Sequence, residues 1–289
     1  VNSEAQGQAA AVRFRDEHRM GAHPLGDLVS IIEQAMGIDV AILDADADEH
    51  GLTVRDPVRD AVFIGVARTR RPMRQRSTLA HELAHVLFED WTEAQPAGWS
   101  ERTPTEVRAD AFARHLLVPI QGLREFLGSR TSVGQSTLSE VVQRFLVSPQ
   151  LAAIALHQAG YINADTKHEW MSLTAPQLAG RFGWSDHYHA LQADSHQRRA
   201  PQRLLARAIA GYEQGVVSAQ TVATLRGVTL AEAEADLQQA GVTPLRPDIV
   251  WVDTAQLPEV QIDLNALDQA LDTPDDATDN HRAEGHHAG

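Results

Sequence analysis

Apolar residues fall every third or fourth position over most of this chain and alternate or cluster in two short stretches. That pattern predicts many helices around a small sheet. In "HPLGDLVSIIEQAMGI" (23–38), Leu25, Leu28, Ile31, Ile32, Ala35 and Met36 keep helical spacing between Pro24 and Gly37. The apolar runs "IDVAILD" (38–44) and "DAVFIGVA" (60–67) read as strands, and "LTV" (52–54) as a short strand between them. A helix is expected over 72–88. Another spans "TPTEVRADAFARHLLVP" (103–119), with Pro104 in its first turn and Pro119 at its end. Helical periods continue through "STLSEVVQRFL", "SPQLAAIALHQAGYI", "QRLLARAIAGYEQG" and the pair "SAQTVATLRG" and "TLAEAEADLQQAG". The fold class is therefore α+β, with a mostly helical C-terminal region.

The ends lack these periods. Residues 1–22 are polar and rich in small residues, and are expected to be a loosely ordered leader. Residues 265–289, ending in "LDTPDDATDNHRAEGHHAG", are polar and acidic, and are expected to be disordered. The first sixteen residues contain no apolar core of signal-peptide type, and no run of eighteen apolar residues occurs. A soluble, cytoplasmic protein is expected, with no membrane partner.

Charge and composition narrow the chemistry. The chain has 289 residues and a formal net charge of −14, which opposes non-specific binding to a phosphate backbone. It has no cysteine, so any metal must be held by His, Asp or Glu. Residues 195–245 have helix-turn-helix rhythm, with a break at "RGVT". Within 216–242, however, Arg226 stands alone against Glu232, Glu234 and Asp236, and a groove-reading helix needs cations. Direct nucleic-acid binding is not expected; a protein contact or a sensing role suits this segment better.

The candidate chemistry lies in "STLAHELAHVLFED" (77–90). A helix turns about 100° and rises about 1.5 Å per residue, so His81 and His85 stand roughly 40° apart around the axis and roughly 6 Å apart along it. Both rings can converge on one ion. Glu82 sits beside that stripe, placed to take a proton from an attacking water. Histidine is common here, 14 of 289, so the motif alone is weak. Leu79, Leu83, Val86 and Leu87 bury the helix, however, and buried polar side chains need partners.

A catalytic zinc usually takes three protein ligands, and Glu106 is the candidate third. It has two readings. Thr103-Pro104-Thr105-Glu106 is also a capping box, in which the glutamate bonds back to its own helix start. The helical phase favours the metal. At about 100° per residue, Asp110 lies at about +40°, Ala113 at about −20° and Leu117 at about +20° from Glu106, all on one inner stripe. Asp110 would then support a ligand histidine through its free N–H. His115 lies about 180° away and is not expected to be a ligand. His187 and His189, two apart, are poorly spaced for one helix face and read as surface residues.

These residues resemble the ImmA/IrrE family of metallo-endopeptidases. The resemblance rests on "TLAHELAHVLF", on "EVRADAFARHLLVP" with Glu106, Ala109, Phe112, Ala113, Leu116, Leu117 and Pro119, and on "PLGDLVSIIEQAMGIDVAIL" before them. It covers roughly 23–165. It implies a zincin-like fold: a small twisted sheet beside an HExxH helix and a glutamate-bearing helix. The peptidase domain would span 23–145, followed by a helical, winged-helix-like extension over 146–190. It also implies Zn2+ held by His81, His85 and Glu106, and Glu82 as general base; the chain departs from the family at Asp110, where Asn is frequent, and the aspartate should still support a histidine. The implied substrate is a helix-turn-helix repressor, here expected as a separate chain, whose cleavage releases stress-response or mobile-element genes. The strand "AVFIGV" is expected to be the edge that receives an extended substrate, and Tyr161 or His157 to stabilise the oxyanion. Two other readings remain. One is a non-proteolytic zinc-binding regulator of the same fold; the other is a toxin–antitoxin or phage-defence component with an incidental motif.

Overall fold

The computed structural model describes residues 2–45, 51–91, 103–130, 132–245 and 264. The helices are α1 (Ser3–Glu17), α2 (Leu28–Met36), α3 (Pro72–Leu87), α4 (Pro104–Leu117), α5 (Ile120–Leu127), α6 (Gln135–Phe145) and α7 (Pro149–Gln158). They continue as α8 (Ala164–Trp170), α9 (Ala175–Phe182), α10 (Ser185–Ser195), α11 (Gln202–Glu213), α12 (Ala219–Arg226) and α13 (Leu230–Gln239). The strands are β1 (Asp39–Leu43), β2 (Leu52–Asp56) and β3 (Ala61–Ala67). All these elements lie in one compact unit, Val1–Leu245. The α+β class stands.

The sheet corrects one expectation. Its order is β1-β3-β2, with β1 parallel and β2 antiparallel to β3. "AVFIGV" is therefore the central strand and not the edge. Its run is buried from Ile64 to Ala67, as suits a strand covered on both faces. The outer side of β1 is covered by an antiparallel bridge, in which Ile42 N–H donates to Arg199 O (2.9 Å) and Arg199 N–H to Ile42 O (3.1 Å). Among the described residues, β2 is left as the open edge, and it lies against α3.

The leader is also different from its expectation. Residues 3–17 form a helix, capped by Asn2, whose side chain accepts from the Glu4 N–H (2.9 Å). Its buried stripe is Gly7, Ala10, Ala11, Phe14 and Arg15. Helical spacing is present, but small residues carry it, so a search for large apolar positions misses it. The small residues let α1 lie against α4. A Cβ on Gly7 would sit 2.7 Å from both the Ala111 Cβ and the Phe112 N. Arg15 is 3% exposed and donates from Nε (2.8 Å) and Nη2 (2.5 Å) to Leu116 O. It thus meets the negative end of α4. Burial lowers its pKa to about 10, which leaves it charged at neutral pH.

The α2 helix begins at Leu28, later than Pro24 suggests, because Asp27 caps it by accepting from the Val29 (3.1 Å) and Ser30 (3.4 Å) N–H groups. It ends at Gly37, whose φ of 62° is left-handed. The helices after α4 share one apolar core with the sheet and the α3–α4 pair, through Leu123, Phe145, Leu156, Trp170, Leu178 and Trp184. Residues 146–190 carry α7 to α9, the start of α10 and no strand, and every described strand precedes residue 68. The α11–α13 helices have a small core of their own, Ala219, Val222 and Leu237. Polar contacts tie them to the sheet side: Gln202 N–H to Glu33 Oε1 (2.9 Å) and Arg203 to Asp39 (3.1 Å). The expected disordered tail, 265–289, lies outside the described residues.

Glu4 accepts from Arg114, His115 (3.2 Å) and Gln158 (3.1 Å), and so joins α1 to α4 and α7. Burial alone would raise the Glu4 pKa, but these bonds outweigh it and hold the carboxyl below its ordinary 4.5. Burial, with Arg114 beside it, lowers the His115 pKa from its ordinary 6.5. For each group the unfolded chain binds the proton more readily, so each contributes stability above its unfolded value that is lost as pH falls through the folded one. The protection of the α1 amides, taken relative to their intrinsic exchange rate at each pH, is therefore expected to fall below pH about 6.5, and further below about 4.5. In Glu4→Gln the second step should shrink and protection at neutral pH should already be lower; unchanged profiles would sink this account.

Candidate metal centre

The α3 and α4 helices pack side by side and bring the expected residues together. The α3 helix starts at Pro72, and its buried residues include Leu79, Ala80, Leu83 and Ala84. These hold one face down and aim His81 and His85 along the adjoining stripe. Their Nε2 atoms are 3.1 Å apart. The α4 helix starts at Pro104 with Thr103 as its cap. Thr103 accepts from the Glu106 N–H (3.2 Å), but the glutamate does not complete a capping box. Its carboxylate turns to the histidines instead, with Oε2 3.1 Å from His81 Nε2 and Oε1 3.7 Å from His85 Nε2.

This donor set fits a divalent cation. His81, His85 and Glu106 form the one group of three or more candidate ligands among the described residues, with ligand atoms within 4.8 Å of one another. Tetrahedral zinc with bonds of about 2.0–2.1 Å separates its ligand atoms by about 3.3 Å, close to the spacings seen. Without a cation, a proton must take its place. Burial disfavours charge on His81, but Asp110 on one nitrogen and Glu106 on the other outweigh it and raise its pKa to about 10. The same His81 bond holds the Glu106 carboxyl below its ordinary value. A bound cation displaces that proton.

Both rings are also held from behind. His81 Nδ1 is 3.1 Å from Asp110 Oδ1, as the helical phase predicts. His85 Nδ1 is 3.3 Å from Asp90 Oδ2, a partner that the sequence reading missed. Asp90 is reached by a reversal just past the helix, where Glu89 has φ 54°. Its other oxygen accepts from Arg108 Nη2 (2.5 Å), and the Arg108 guanidinium lies 4.1 Å from the Phe88 ring centre. No sequence spacing marks this clasp, because it forms across two helices. Each ring thus donates Nδ1–H to a carboxylate and turns Nε2 to the shared point.

Glu82 is 7% exposed and faces β2. Its Oε2 accepts from Thr53 Oγ1 (2.7 Å). A Cβ on Gly51 would come within 2.8 Å of its Cδ and Oε1, so only glycine admits the carboxylate there. Thr53 was also missed, since 29 residues separate it from Glu82. His115 points to α1, away from the cluster, as expected. His187 and His189 are exposed. Tyr161 donates to Gly128 O (3.5 Å), and neither it nor His157 bonds to the cluster. His281, His286 and His287 lie outside the described residues.

Residues 33–168 match the family model described as the IrrE N-terminal-like domain, Peptidase_M78. Residues 33–168 are similar to the ImmA/IrrE-family peptidase domain. The match supports a metallopeptidase of the ImmA/IrrE type and spans α3, α4 and every residue of the cluster. It starts inside α2 and ends inside α8, leaving α1 and the last helices outside the matched region. No curated protein matches the chain. No described helix is long and apolar enough to cross a membrane.

Asp90→Asn should weaken metal binding about 10- to 100-fold, the usual cost of losing such a support. Thr53→Val, which touches only the general-base candidate, should leave affinity within about twofold. Competition titration with a fluorescent zinc chelator measures both, and equal losses in the two variants would contradict the division of roles.

Proposed function

We propose that this protein is a zinc-dependent endopeptidase that cleaves a separate helix-turn-helix repressor in the cytoplasm, releasing stress-response or mobile-element genes. One observation carries the enzymatic part: Glu106 leaves its own helix start and turns to the histidine pair, while Glu82 stays off that set. Three donors for one ion and a carboxylate outside that set beside them form the minimum apparatus for metal-assisted hydrolysis. The repressor as substrate rests on the family resemblance and on the net charge of −14, which suits contact with a basic DNA-binding protein.

When bound, zinc polarises the scissile carbonyl and lowers the pKa of a water. His81 and His85 hold their rings in the acceptor tautomer at Nε2 because Asp110 and Asp90 take the Nδ1 protons. Glu82 removes a proton from the attacking water and passes it to the leaving amine. Thr53 fixes the carboxylate in reach of both positions. An extended substrate segment adds to the open edge of β2, the strand that carries Thr53, and so runs past Glu82.

The zinc-loaded protein, incubated with the repressor encoded beside it and scored by mass, should produce two fragments, and a chelator should stop this. Glu82→Gln should keep about one zinc per chain and lose at least about 100-fold in rate. His85→Ala should lose the metal. Uncut repressor with full zinc occupancy would favour the non-proteolytic regulator, and full activity in Glu82→Gln would refute the base.

A further inference from the structure

We infer that a cavity between α4, α7 and α8 receives one substrate side chain, and that Lys167 makes it select an acidic one. The proposal rests on the peptidase reading above. The cavity has a volume of about 290 Å³, at the small end of ligand pockets, and suits one side chain better than a whole cofactor. It shares the α4 wall with the metal cluster. Its wall includes Val107 and Asp110, the residue next to Glu106 and the residue that holds His81. On this proposal a peptide lying over the cluster reaches the hollow along the face of α4 that carries Val107 and Asp110.

The lining determines the chemistry. Val107, Ile154 and Met171 offer apolar surface to an aliphatic stem. The charges are Glu4, Asp110, Arg114 and Lys167. Three are already committed. Glu4 and Arg114 pair with each other, and Glu4 also accepts from His115 and Gln158. Asp110 is spent on His81, and a divalent ion in the cluster offsets it together with Glu106. Lys167, the one lysine of the chain and half-buried on α8, makes no ion pair among the described residues. The charge left over to meet a ligand is its ammonium. A glutamate or aspartate satisfies it, a lysine is repelled, and a glutamine loses the charge term.

Peptidyl hydroxamates, which bind through the metal and need no turnover, separate this claim from the peptidase reading. Three probes differ only in one side chain, glutamyl, glutaminyl or lysyl, and calorimetry measures each on the zinc-loaded full chain. The glutamyl probe should bind at least about fivefold tighter than the lysyl one, the scale of a partly exposed charge pair. Lys167→Arg should keep that order, Lys167→Gln should flatten it, and Lys167→Glu should reverse it. Circular dichroism and zinc content check that each variant is folded. Equal binding of all three probes, or an unchanged order in Lys167→Gln and Lys167→Glu, overturns the subsite and leaves the metal site standing. Failure of every probe to bind the zinc-loaded protein overturns both.

Discussion

Two imidazoles and a carboxylate crowd one point between α3 and α4, and only positive charge makes that arrangement tolerable. His81, His85 and Glu106 bring donor atoms to 3.1–3.7 Å from one another, with the rings half-buried. A proton meets the need in part, which is why the His81 pKa rises to about 10 against its own burial. A divalent ion meets it for all three groups together. Most other polar features near the cluster follow from that demand. Asp110 and Asp90 neutralise and orient the rings, and Arg108 in turn offsets Asp90.

The scaffold supplies the stiffness that such crowding needs. The α1 helix, outside the family match, lies against the back of α4 through Gly7 and the alanines after it. Arg15 holds the far end of α4 through Leu116 O, and Glu4 holds Arg114. The helix that presents Glu106 is therefore fixed from behind while its front faces the histidines. The sheet divides its edges in a similar way. The outer side of β1 is closed by Arg199, and β2 remains open beside Glu82. An open strand edge invites another strand, and here it is the one beside the candidate base.

Much of this was legible in one dimension because helical phase is a local property. His81, Glu82 and His85 share a helix, as do Glu106 and Asp110, and 3.6-residue geometry places each set on one stripe. The two readings of Glu106 were open in the sequence because cap and ligand use the same residue at the same helix position. Only the orientation of the carboxylate separates them. The α1 helix escaped because its buried stripe is, apart from Phe14 and Arg15, glycine and alanine, whose burial depends on what lies opposite. The edge strand was misassigned because a strand's neighbours are set by topology, and an apolar run tells only that it is covered.

The sequence by itself determined the elements, the stripe that each helix buries and the type of donors available, with cysteine absent. Helix period, capping and transfer of apolar surface act over a few residues, so they can be read along the chain. The tertiary structure alone decided that α4 meets α3 at the depth of Glu106, that Asp90 and Arg108 close behind His85, and that Thr53 reaches Glu82. Those contacts join residues 5 to 29 positions apart through the packing of whole elements. No local energy term encodes them, and the chemistry depends on where they fall.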